Sequence, residues 1–244
     1  MIINGDVVDT GMKEEQWGWV MDAADDTLFN LPFMAVAGNH DEDNQSFYEH
    51  FNLEPVEGSS TKTGVYYSFD YENTHFIMLN TNEDSPEYAN FTPRQIAWLK
   101  QDAALAKARG VDWLIAVMHK GPYTTSNHAT DSDIIDANGV RTLVVPILAQ
   151  AGIDLVLQGH DHIYAVSKPI NEKGEAQEPV MVEIAHADLV VNHMENPQGV
   201  VYMIPNTAGP KVYYKNKDIL DHDAAFYDKF LNAPENSAAK YATE

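Results

Sequence analysis

Four short apolar runs in this chain each lead into a turn that carries histidine, asparagine or aspartate, and that recurrence narrows the folds open to it. The clearest is Ile153-Asp154-Leu155-Val156-Leu157-Gln158, followed by Gly159-His160-Asp161-His162. A short run of aliphatic residues bounded by a turn reads as a buried strand. Gly159 lets the backbone turn, and two imidazoles two residues apart are presented at the strand's end. Imidazole is the commonest neutral metal ligand near pH 7. Leu31–Ala37 leads in the same way into Gly38-Asn39-His40-Asp41, Trp113–Met118 into His119, and the opening Met-Ile-Ile into Gly5-Asp6. In an open α/β sheet ligands bind beyond the carboxyl ends of the strands, so a sheet that brings these four ends together creates a site.

The segments between the runs agree with an α/β chain. Residues 13 to 29 suit an amphipathic helix, with Trp17, Val20, Met21, Ala24 and Leu28 on one face. Residues 42 to 64 are polar and turn-rich, a loop with a short helix. Val65–Tyr71 alternates with period two and His75–Asn80 returns after Glu72-Asn73, which makes a hairpin; His75 has no ligand-type neighbour in sequence and reads as packing. Thr92-Pro93-Arg94-Gln95 is a capping box with proline at the first helical position. Its helix runs to about Ala108 and stops at Gly110. Residues 124 to 139, with His128, Asp131 and Asp133, form a polar loop of a length that often contacts substrate. Residues 140 to 151 are helical, with Leu143, Val144, Ile147 and Leu148 inward. Val180–Val182, Val200–Ile204 and Lys211–Tyr214 read as further strands. His50, His186, His193 and His222 carry no motif and are expected at the surface or in local hydrogen bonds. One domain therefore spans residues 1–232, and 233–244 is a polar tail.

Composition narrows the chemistry. With 44% hydrophobic residues the 244-residue chain buries a sizeable core. It has no apolar run of about 18 residues, so no membrane-spanning helix is expected, and no basic and apolar leader is visible at Met1. Cysteine is absent, which removes disulfides and thiolate zinc sites and leaves the compartment undecided. The net charge of −22 repels nucleic acid backbones, so a role on DNA or RNA is not expected. It also repels anionic substrates at long range, and a phosphate ester needs bound cations to reverse the local field.

Converged, Asp6, Asn39, His40, His119, His160 and His162 offer carboxylate, amide and imidazole without thiolate. That set suits Mn²⁺, Fe or Zn²⁺ with positions left for water. A shared carboxylate can bridge two ions roughly 3.5–4 Å apart, the arrangement used for in-line displacement at phosphorus. A histidine not spent on metal can protonate the leaving oxygen. His40 is the candidate, with the adjacent Asp41 expected to orient and charge it.

At these residues the chain resembles the calcineurin-like metallophosphoesterases: Gly5-Asp6, Gly38-Asn39-His40-Asp41, His119 and Gly159-His160-Asp161-His162 stand in the order of that family's motifs. Tyr66–Tyr71, His119-Lys120-Gly121-Pro122-Tyr123 and Asn206-Thr207-Ala208-Gly209 resemble, more narrowly, bacterial members related to purple acid phosphatases. The resemblance implies a four-layer α/β/β/α sandwich, a dinuclear site and hydrolysis of small phosphate esters. Asp6 would bridge the ions, Asn39, His119 and His160 would hold one, His162 would help hold the other, and His40 would be the acid. Two departures bear on this. The family's opening Asp-x-His motif has no counterpart before Gly5-Asp6, so upstream sequence and the first strand of the sheet are expected to be missing. One ion would keep only Asp6 and His162, so the chain would hold two ions, or one, and serve as a hydrolase or as a binding module. The position three residues after the bridging aspartate, a tyrosine ligand in purple acid phosphatases, is Asp9 here, so a purple iron centre is not expected. The gap in the sheet implies self-association or complementation by another strand. Members of this kind are often exported, which makes secretion or the cell surface the expectation for the full protein.

Overall fold

The computed structural model describes residues 1–28, 30–42, 44–59, 61–62, 64–83, 91–187, 189–205 and 211–235. The Asn206–Gly209 motif and the tail from residue 236 lie outside these residues.

Seven strands form the main sheet: β3 (Tyr67–Tyr71), β4 (Thr74–Met78), β5 (Trp113–Lys120), β6 (Leu155–Gly159), β7 (Tyr164–Ser167), β10 (Val201–Pro205) and β11 (Phe230–Asn232), in spatial order β11-β7-β10-β6-β5-β4-β3. The central β10, β6, β5 and β4 run parallel; β7 and β3 are antiparallel to their neighbours. A second, parallel sheet holds β1 (Ile2–Ile3) and β2 (Met34–Ala35). A third pair, β8 (Val180–His186) and β9 (Leu189–Glu195), is an antiparallel hairpin.

Three separate apolar clusters define the layers. The largest packs α4 (Pro93–Arg109) and α6 (Val140–Ala151) on one face of the main sheet, through Leu99, Ala103, Val144 and Leu148 against Leu114, Ala116, Val156 and Tyr202. A thin middle cluster of Val36, Met78 and Val117 joins the opposite face to the β1–β2 sheet. The third packs Trp17 of α1 (Glu14–Ala23) and Phe47 of α3 (Ser46–His50) on the outside of β1–β2, against Ala35 and Ala37. Three interfaces require four layers, helix, sheet, sheet, helix, as expected. Among the described residues β2 is the only strand beside β1, so one edge of β1 is unpaired.

Most element boundaries follow local signals. Thr92 accepts a hydrogen bond from the Gln95 N–H to start α4, and Gly110, at φ +84°, ends it in the left-handed conformation that glycine adopts without strain. The helix expected over 13–29 is broken at Ala24, and α2 (Asp25–Leu28) follows. The strand expected at 211–214 is not formed, and Leu189–Glu195, not singled out in the sequence, is one. α5 (Ser132–Ile135) lies within the loop expected at 124–139, and α7 (Lys217–His222) lies near the carboxyl end.

His75 corrects the packing expectation. Its ring is buried, with Nδ1 2.5 Å from Asp70 and Nε2 2.9 Å from Asp102. Arg109 closes the network on Asp70, and Ser68 donates to Asp102. Both ring nitrogens face carboxylates, so the buried ring is held at two points. His75→Ala takes the partner from both carboxylates and is expected to cost about 1–3 kcal/mol. Denaturant titration should show a lower midpoint with an unchanged slope.

Candidate metal centre

The site is assembled from turns that leave both main sheets on the same side. The turn after β1 carries Asn4 to Asp9, the turn after β2 carries Gly38 to Asp41, β5 carries His119, and the turn after β6 carries His160 to His162. Two glycines allow the close approach. Gly5 has φ +91°, and a Cβ there would collide with the His119 ring; a Cβ on Gly38 would collide with the Asp6 carboxylate. Asp6 (φ 52°) and His160 (φ 68°) themselves adopt left-handed backbone, which costs a non-glycine residue roughly 1–3 kcal/mol each. Strain of this kind concentrates where side-chain placement matters more than backbone comfort.

His119 is the centre. Its Nδ1 lies 2.7 Å from the carbonyl oxygen of Asn4 and donates to it, which fixes the ring. Around its Nε2 stand Asp6 Oδ2 at 3.2 Å, Asn39 Oδ1 at 3.1 Å and His160 Nδ1 at 3.2 Å. Ligand atoms about 2.0–2.2 Å from one cation are separated by roughly 3 Å, so these separations suit the edges of a coordination polyhedron. Asp6, His119 and His160 form a group able to hold a metal ion. The set fits a cation on a second count: the buried Nδ1 of His162 has no hydrogen-bond partner among the described residues. His162 is held face-on against Tyr213, with ring centroids 4.9 Å apart.

The electrostatics follow from these neighbours. Burial alone would raise the Asp6 carboxyl, but the charge and hydrogen bond of His119, with the His40 N–H, hold it well below the usual carboxylate range. Burial would lower His119, but Asp6 and the Asn4 carbonyl raise it. Burial and the His119 charge push His160 down to about 2, which keeps it a neutral donor. Burial, then Lys211, lowers His162. In the metal-free cluster Asp6 thus favours a proton on His119, at the position a cation would take.

The expected residues are mostly brought together. Asp6, Asn39, His119 and His160 converge, and His40 and His162 line the same cleft of about 700 Å³. Asp41 does not do what was expected of it. It is wholly buried and accepts from the N–H groups of Gly38 (2.7 Å), Val7 (3.0 Å) and Val8 (3.3 Å), tying the turn after β1 to the turn after β2. Burial raises its pKa to about 7. His40 instead meets Asp9, with Nδ1 2.9 Å from the Asp9 carbonyl oxygen and 3.8 Å from its carboxylate. Sequence reasoning put His128 in a polar loop and not among the site residues. Its ring centroid is 4.1 Å from that of His160, and its Nδ1 is 2.6 Å from Asp131. The signal was a histidine with an aspartate three residues later in the segment after His119. Gly121–Ser126 ahead of His128 are buried, whereas Asn127, Thr130, Ser132 and residues 135–138 are exposed.

Comparisons with known proteins give the family and the fold. The profile of the calcineurin-like phosphoesterase family matches residues 1–164. The chain belongs to that family. Purple acid phosphatase 18 of Arabidopsis thaliana is 28% identical over 192 residues, covering 75% of this chain and 42% of that protein. Purple acid phosphatase 23 of the same plant is 31% identical over 158 residues, 62% of this chain and 32% of its own length. An uncharacterised protein of Mycobacterium tuberculosis is 24% identical over 228 residues, 85% of this chain and 41% of that protein. The structure of purple acid phosphatase PPD1 from yellow lupin (Lupinus luteus) seeds superposes with a TM-score of 0.57 at 14% identity, covering 96% of this chain and 45% of that one, a likeness of fold. The chain spans less than half the length of these relatives.

Two outcomes are expected at this site. Asp41→Ala leaves three inward N–H groups without their acceptor and should cost about 1–3 kcal/mol for the loss, read by thermal or denaturant unfolding. Cation uptake must displace the His119 proton. Because Asp6 and the Asn4 carbonyl raise the His119 pKa above the ordinary imidazole value, uptake should weaken as falling pH protonates that ring, with proton release on binding. Calorimetry in buffers of different ionisation enthalpy measures it; uptake indifferent to pH would contradict the assignment.

Proposed function

We propose that this chain is a metal-dependent hydrolase of small phosphate esters. The observation that carries the reading is the convergence of Asp6, Asn39 and His160 on Nε2 of His119. In this reading Asn39, His119 and His160 would hold one ion, and Asp6 and His162 would serve a second. Manganese, iron and zinc suit these donors. Ions bound there supply a nucleophile from water at neutral pH and neutralise phosphate charge. His40 protonates the leaving oxygen: the Asp9 carbonyl takes its Nδ1–H, which leaves Nε2 for the substrate. His128, backed by Asp131, offers a second imidazole beside His160. Lys211, on the cleft wall, adds positive charge in a strongly acidic molecule.

One observation supports a second reading. Among the described residues no group of three metal-type side chains includes His162, so the domain would hold a single ion and serve as a binding module. Metal analysis by mass spectrometry, paired with turnover of p-nitrophenyl phosphate, separates the two. Two ions per chain, with turnover falling about 100-fold or more in His40→Ala, supports the hydrolase; one ion or none, without turnover, supports the module. The loss in His40→Ala should be larger for an alkyl phosphate, whose leaving group needs the proton more.

A further inference from the structure

The hairpin β8–β9 lies beyond residues 1–164, which the family profile matches, and none of its residues lines the cleft. Its strands pack against each other, and among the described residues no other helix or strand makes substantial contact with them. Cross-strand partners in an antiparallel pair project from the same face. The register pairs Val182 with His193, Ile184 with Val191 and His186 with Leu189. His186 and His193 therefore share one face, with the Ile184–Val191 pair between them. The two rings close over that pair: their centroids are 5.4 Å apart and their planes are tilted by 31°.

Two further observations point to a ligand. Nε2 of His193 is shut off from solvent and has no hydrogen-bond partner among the described residues. Buried polar atoms are rarely left so, because their lost hydration goes uncompensated. The spacing also fits one shared ion. Zinc–imidazole bonds are about 2.0–2.1 Å long. With the ion on the nitrogen axis of each ring, tetrahedral coordination sets two ring centroids roughly 5.2 Å apart, and a square arrangement roughly 4.5 Å. The observed separation is close to the tetrahedral case. His186 is open to solvent, which gives an ion access. Glu195, two residues beyond His193 on the same face, and the chain's charge of −22 favour a cation there over an anion.

We propose that His186 and His193 form a separate cation site, for a divalent transition ion such as zinc, nickel or copper, and that the ion clips β8 to β9. The protein supplies two imidazoles, and water fills the remaining positions. Magnesium prefers oxygen donors and is not held. This site shares no residue with the Asp6–His119–His160 group and does not depend on the activity proposed above. Its effect falls on the hairpin. A two-stranded hairpin is marginally stable alone in water, and an ion that binds only the paired strands adds its binding free energy to their pairing.

Hydrogen exchange of the full, metal-stripped chain, read by mass spectrometry over residues 180–195, tests this. With free Zn²⁺ at ten times its dissociation constant, exchange through hairpin opening should slow about elevenfold, and Mg²⁺ at the same concentration should leave it unchanged. His186→Gln and His193→Gln should each abolish the zinc effect. The double variant should bind one zinc ion fewer per chain than the wild type, with an unchanged melting temperature showing that the body of the protein is intact. Hairpin exchange that ignores Zn²⁺ in the wild type would overturn the proposal, and that result needs no variant. A zinc effect that survives both substitutions, or an equal ion count with and without the two histidines, would overturn it as well.

Discussion

The structure depends on one imidazole being fixed between two sheets. His119 leaves the main sheet at the end of β5, and its Nδ1 is captured by a carbonyl from the turn that follows β1, in the other sheet. That bond orients Nε2 toward Asp6, Asn39 and His160, which come from three separate turns. The thin apolar layer of Val36, Met78 and Val117 sets how the sheets face each other. The placement of the polar cluster therefore follows from packing a few side chains away. A slip of one residue in β1 against β2 would turn every side chain there to the opposite face and take Asp6 out of reach.

The polar groups around the cluster divide into those that hold the frame and those that face the cleft. Asp41 belongs to the frame, because its two oxygens are occupied by three backbone N–H groups. Asp161 is similar, taking Thr124 Oγ1 at 2.5 Å and the His128 N–H at 3.2 Å, although burial raises its pKa. His40, His128 and His162 face the cleft or stand beside it. The acidic residues nearest the histidines thus differ in function although they look alike in sequence.

The four site-bearing turns were legible because each needs two things at once, an apolar run and a metal-type side chain after it. The α4 start and stop were legible for a similar reason: Thr92 and Gly110 carry their own hydrogen-bond logic. What was hidden depends on distance in space. Asp41 is adjacent to His40 in sequence, yet the turn between them points the carboxylate back at Gly38, and Asp9, 31 residues away, meets the imidazole instead. His75 read as packing because Asp102, which accepts its Nε2, lies 27 residues away on α4. The strand β9 escaped notice because its polar Asn192, His193 and Glu195 break the alternation that a half-buried strand shows, and in this hairpin nearly all of it is exposed.

The left-handed backbone at Asp6 and His160 has a structural corollary. Glycine would relax the backbone at both positions, but at residue 6 it would also take the acceptor from the His40 N–H and the carboxylate from beside His119, and at residue 160 the imidazole from beside His119. The chain thus gives up backbone comfort at two turns to keep these two side chains in the cluster.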